Sequence, residues 1–112
     1  MTVVHTVLLR FKEDAGADQV KMAIADLLDL KVKCVRADTK QPYMQVTSGG
    51  KDNSVEGLRV QQGFQYAFVM EFESTADRDY YAKSDPAHQA YVKTYMPIFE
   101  KVIVFDYSKM EF

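Results

Sequence analysis

Val3-Val4-His5-Thr6-Val7-Leu8-Leu9-Arg10-Phe11 alternates with a period of two, which puts Val3, His5, Val7, Leu9 and Phe11 on one face of a strand and Val4, Thr6, Leu8 and Arg10 on the other. Both faces are mostly apolar, so this strand needs cover on two sides. Residues 63–74 repeat the pattern more clearly: Phe64, Tyr66, Phe68, Met70 and Phe72 share a face opposed by Gln65, Ala67, Val69, Glu71 and Glu73. Residues 101–107 supply a last strand. Residues 43–47 form a short one behind Pro42, which is tolerated at a strand start or an edge.

The segments between the strands carry helical spacing. Val20, Ile24, Leu27, Leu28, Val32 and Val35 recur at threes and fours and predict an amphipathic helix over 17–36. Ser74 or Thr75 caps a short helix carrying Tyr80 and Tyr81. Asp85-Pro86-Ala87-His88 is a second helix start, with Asp85 as cap, Pro86 in the first position and the apolar run Tyr91, Val92, Tyr95, Met96, Phe99 behind it. Gly49-Gly50-Lys51-Asp52-Asn53-Ser54 reads as a polar connecting loop, with Ser54 placed to cap one helical turn. The order β-α-β-β-α-α-β predicts an α+β, ferredoxin-like antiparallel four-stranded sheet with helices on one face. Such helices leave the second apolar face bare, and two identical sheets packed face to face cover it, so a homodimer is expected.

Composition excludes several classes of function. The 112 residues, 47% hydrophobic, fit a single domain over 1–112 with one core. A net charge of −2, from 14 basic and 16 acidic residues interspersed, leaves no basic stripe for nucleic acid. Cys34 has no partner for an internal disulfide, and the first residues show neither a charged leader nor a long apolar stretch. No segment reaches the length of a membrane span, so a reduced, cytoplasmic protein with no membrane role is expected. The sequence has no His-x-x-His and no compact carboxylate cluster, which argues against a metal.

His88 stands third in its helix, where exposed N–H groups and the positive dipole end disfavour an added proton and keep the ring usable as a base near neutral pH. The alternative is a packing imidazole bonded to a backbone carbonyl. His5 lies on an otherwise apolar strand face, which suits a cavity wall or a satisfied core histidine. Gly49-Gly50-Lys51 lacks the rest of a phosphate-cradle motif, and Cys34 has no neighbouring histidine to activate it.

Four stretches together resemble the stress-responsive A/B barrel family, also called the dimeric α+β barrel or Dabb domain: His5-Thr6-Val7-Leu8-Leu9-Arg10-Phe11, Gly50-Lys51-Asp52-Asn53-Ser54-Val55-Glu56-Gly57, Phe68-Val69-Met70-Glu71-Phe72-Glu73-Ser74 and Asp85-Pro86-Ala87-His88-Gln89-Ala90-Tyr91. The resemblance covers almost the whole chain, and Asp79-Tyr80-Tyr81 with the glycine loop is similar to fungal members. It implies a ferredoxin-like protomer that dimerises through its sheet, with a cavity between sheet and helices. Similarity to a plant polyketide cyclase of the family implies acid–base chemistry without a cofactor. On that similarity His88 matches the essential histidine and His5 the histidine of the first strand. Tyr80 is the nearest match to the catalytic tyrosine, with Tyr81 the alternative because the segment before Pro86 is longer here. Gly63-Phe64-Gln65-Tyr66 departs from the family, placing Tyr66 where a histidine is common; a phenol donates a hydrogen bond but is no base at neutral pH.

The expected function is a cyclase or isomerase acting on a carbonyl compound. His88 takes the proton, Tyr80 or Tyr81 holds the carbonyl or enolate oxygen, and His5 assists. Tyr66, Tyr81, Phe68 and Met96 line a pocket for an apolar or aromatic small molecule, although core packing is the ordinary role of each. The alternatives are a non-catalytic dimer that binds a small molecule or serves in stress response, and, by fold analogy alone, a cofactor-free monooxygenase.

Overall fold

The computed structural model describes residues 2–57 and 62–112. The two-faced segment at the start becomes β1 (Val3–Phe11), followed by α1 (Ala17–Lys33), β2 (Met44–Lys51), β3 (Tyr66–Phe72), α2 (Thr75–Lys83), α3 (Pro86–Tyr95), a 3₁₀ turn (Met96–Ile98) and β4 (Phe99–Ser108). The sheet order is β2-β3-β1-β4 and every neighbouring pair is antiparallel, which is the ferredoxin-like arrangement. A central β1 satisfies its demand for two-sided cover in part: its inward row faces the helices and its outward row is the middle of an open sheet surface.

Cross-strand register fixes both rows. His5 lies opposite Met70 on β3 and Asp106 on β4, and Leu9 lies opposite Tyr66 and Val102. This inward side joins Leu27 and Leu30 of α1, Tyr81 of α2, and Tyr91 and Tyr95 of α3 in one core. On the outward side Leu8 lies opposite Ala67 and Ile103, and Thr6 opposite Val69 and Phe105. There Ile103, Phe105 and Tyr107 stay largely exposed, Phe105 at 65%.

The structure corrects several boundaries. α1 ends at Lys33 rather than residue 36, because Cys34 turns extended and Val35 pairs with Pro42. Its buried stripe is Ala23, Leu27 and Leu30, continued by Cys34, whereas Leu28 and Val32 face outward. Gly49, Gly50 and Lys51 are strand, not loop. Gly49 lies opposite Phe68, and a Cβ there would stand 2.8 Å from the Phe68 ring, so the missing side chain is what lets β2 close on β3. The third strand begins at Tyr66 rather than 63, after Gly63 at φ +68°. Beyond Ser54, whose hydroxyl accepts from the Glu56 amide, the expected helical turn runs into residues 58–61, which lie outside the described residues.

Helix starts follow the sequence closely. Ser74 Oγ accepts from the Asp77 amide at 3.1 Å to open α2. Asp85 Oδ1 accepts from the Ala87 amide at 2.8 Å to open α3, with Pro86 in the first position. Asp85 is 1% exposed, and its other oxygen accepts the Tyr43 hydroxyl at 2.5 Å. Asp85→Ala therefore removes a cap and orphans a buried hydroxyl, a loss of about 2–4 kcal/mol in urea unfolding. Asp85→Asn, which keeps an acceptor oxygen, loses about half as much.

Candidate active site

Asp85 sets the phase of α3. With the cap fixed and Pro86 first, His88 falls on the side facing the end of α2, where its ring stacks on Tyr81 with centroids 4.0 Å apart and planes at 29°. The end of α2 is tied to the same cap, since the Tyr80 carbonyl accepts from the Ser84 and Asp85 amides at 2.9 and 2.8 Å. Tyr81 is buried, and its ring also meets His5 edge-on at 5.6 Å and Phe72 at 5.2 Å. One phenol thus touches both imidazoles, one delivered by the central strand and one by a helix start.

The two histidines have opposite partners. His5 Nδ1 donates to Asp106 Oδ1 at 2.7 Å; a carboxylate only accepts, so the hydrogen sits on Nδ1. Asp106 Oδ2 in turn accepts from Arg78 at 2.9 Å, and Arg78 Nε donates to Asp79 at 2.8 Å. His88 Nδ1 is buried with no hydrogen-bond partner among the described residues. Burial holds His88 below the usual imidazole range; nearby His5 adds to this, while the Tyr81 backbone and Asp85 pull the other way. The direction agrees with the sequence expectation, but the leading cause is burial rather than the helix dipole. Burial also raises Tyr81 well above the ordinary phenol range, so its hydroxyl keeps its proton. Cys34, fully buried beside Asp85, is pushed up to about 12 and is no nucleophile. The group comprises a neutral base, a phenol that stays protonated and a carboxylate-oriented imidazole: the parts of an acid–base site.

The other sequence candidates lie elsewhere. Tyr80 is half-buried and meets Tyr43 edge-on at 5.7 Å, away from both imidazoles. Tyr66 is at the far end of the sheet, edge-on to Phe11 at 5.8 Å. Phe68 is a core residue under Gly49, and Met96 is 46% exposed in the 3₁₀ turn. Between sheet and helices, where the family resemblance implies a cavity, Tyr81 is buried and packs against both imidazoles. A cleft of about 510 Å³ instead opens on the outward sheet face beside Leu8, Phe64 and Val69. Among the described residues no cluster of three metal-ligating side chains occurs, and no helix is long and apolar enough to cross a membrane.

Asp106 and Arg78 were not singled out from the sequence. The available signal was a carboxylate on the inward row of the last strand, two positions beyond Val104 and in register with His5.

The buried, unprotonated His88 predicts a pH effect on stability. As pH falls through the ordinary imidazole range the unfolded chain takes up a proton that the folded chain resists, so stability falls. Urea unfolding at about pH 7.5 and about pH 5.5 is expected to show a larger acid loss for the native chain than for His88→Gln.

Residues 3–109 match the family described as the stress responsive A/B barrel domain. A stress-response A/B barrel domain-containing protein of Arabidopsis thaliana is 26% identical over 105 residues, 92% of this chain and 82% of the relative. Among solved structures, a hydroxynitrile lyase from Passiflora edulis superposes with a TM-score of 0.80 at 27% identity, covering 99% of this chain and 96% of that one. A dimeric ferredoxin-like protein of unknown function from Thermobifida fusca superposes with a TM-score of 0.68 at 18% identity, covering 96% and 91%.

Proposed function

Since the chain belongs to the stress responsive A/B barrel domain family, we propose that it is a homodimeric, cofactor-independent acid–base catalyst acting on a carbonyl compound or its adduct, of cyclase, isomerase or lyase type. The observation that carries the reading is the buried, unpartnered Nδ1 of His88, kept below ordinary proton affinity and stacked on Tyr81. A buried imidazole nitrogen without a partner is costly unless a substrate proton completes it. His88 takes a proton from the carbon beside a carbonyl, leaving an enolate whose oxygen accepts a hydrogen bond from Tyr81; on a cyanohydrin it takes the hydroxyl proton as the C–CN bond breaks, the carbonyl forms and cyanide leaves with the electron pair, to be protonated by the imidazolium. His5, oriented by Asp106 through Nδ1, packs edge-on against Tyr81 with its other ring nitrogen left as an acceptor that can relay a proton. The structural similarity to a hydroxynitrile lyase supports this class of chemistry.

One observation favours a second reading. Tyr81 is buried against both imidazoles, which suits a non-catalytic dimer that binds a small molecule elsewhere.

Purified protein assayed with an aromatic cyanohydrin and a linear polyketone thioester is expected to turn over one of them. His88→Ala should lower the rate roughly 10²–10⁴-fold with the circular dichroism unchanged, and Tyr81→Phe should lower it less. Full activity in His88→Ala, or no turnover of either probe, removes the catalytic reading.

The dimer is supported by the exposed apolar row of Ile103, Phe105 and Tyr107 beside Leu8 and Val69, and the Thermobifida fusca protein of the same fold is described as dimeric. Sedimentation equilibrium is expected to give twice the chain mass for the native protein and a monomer for Phe105→Asp.

A further inference from the structure

At the other end of β1 from His5, Arg10, Phe11 and Lys12 reach the mouth of a cleft of about 740 Å³ between the sheet and the first turns of α1. Arg10, Lys12, Lys21 and Lys51 line it against a single carboxylate, Glu13. In a chain of net charge −2, this excess of positive charge around one concavity runs against the overall balance. Arg10 is half-buried and donates to the Gln62 carbonyl at 3.2 Å, while Lys12, Lys21 and Lys51 form no ion pair among the described residues. Like charges gathered in excess of their counter-charge raise the local concentration of anions.

Beside its charged and polar groups the cleft has an apolar part. Phe11, 4% exposed, stands edge-on to Tyr66, and Val20 and Ile24 of α1 close the other wall. The volume is that of a site for a small organic ligand. A free inorganic ion leaves the apolar part unused, and a nucleic acid backbone is too long for one short concavity on an acidic chain.

We propose that this cleft binds an amphipathic organic anion, its carboxylate or phosphate head among Arg10 and the three lysines and its apolar body on Phe11, Tyr66, Val20 and Ile24. The site is separate from the imidazole group, since the six steps of strand from His5 to Phe11 span roughly 20 Å. It therefore stands or falls independently of the catalytic reading.

The test is titration of the ¹⁵N-labelled full chain with decanoate, decyl phosphate, decanol and inorganic phosphate, followed by backbone amide shifts. Decanoate or decyl phosphate is expected to move Ala15, Gly63 and Gln65 saturably, with the tighter of the two identifying the head group. Decanol and inorganic phosphate should bind about tenfold more weakly than that anion. The double variant Lys21→Glu/Lys51→Glu, altered at two exposed positions, should lose about tenfold for the anion and nothing for decanol. His88→Ala should bind as the native chain does. Equal binding of decanol and the anion, an unchanged double variant, or shifts centred on Tyr81 and His88 overturns the proposal.

Discussion

A carboxylate sunk in the interior at the start of a helix organises this protomer. Asp85 is 1% exposed, yet both its oxygens are satisfied, one by the first turn of α3 and one by the Tyr43 hydroxyl ahead of β2. Its own amide is held by the carbonyl of Tyr80 at the end of α2. Two consecutive helices and the distant chain ahead of β2 are thereby tied to one residue, at a place where an unpaired charge is prohibitively costly. The same tie fixes the rotation of α3 and so presses His88 onto Tyr81. Stability and the geometry of the candidate site come from one residue.

The architecture was legible because it is written in periods and caps. Alternation in residues 3–11 and 63–74, and the Asp85-Pro86 helix start, depend on neighbouring residues alone, and the structure places strands and helices there. What could not be read depends on contacts across the fold. Gly49 and Gly50 look like a turn until Phe68 is known to cross Gly49, where the absence of a side chain permits strand pairing. Leu28 and Val32 fit a helical stripe as well as Ala23 and Leu30 do, and only the sheet beneath selects between them. The site shows the same division. The two histidines stood out by type, whereas the choice of Tyr81 over Tyr80 beside them required the rotation of α2, and Asp106 required the register of β4 on β1.

The inward side of the sheet thus has two chemically distinct ends joined by a dry middle. One end holds imidazoles, a phenol and a carboxylate at short range; the other opens as a cationic cleft over aromatic rings. Leu9, Phe68 and Leu30 fill the space between and exclude water from it. The outward side carries a different demand, an exposed apolar row of Ile103, Phe105 and Tyr107 on the last strand.

Cys34 carries a further consequence. Its thiol is wholly enclosed where α1 gives way to extended chain, and burial together with Asp85 suppresses the thiolate. Peroxide and alkylating agents act on exposed thiolate, so the sulfur is protected for as long as the helix layer stays shut. Its rate of covalent labelling is therefore a clock for the transient breathing of that layer, built into the chain at a position where no engineered reporter is needed.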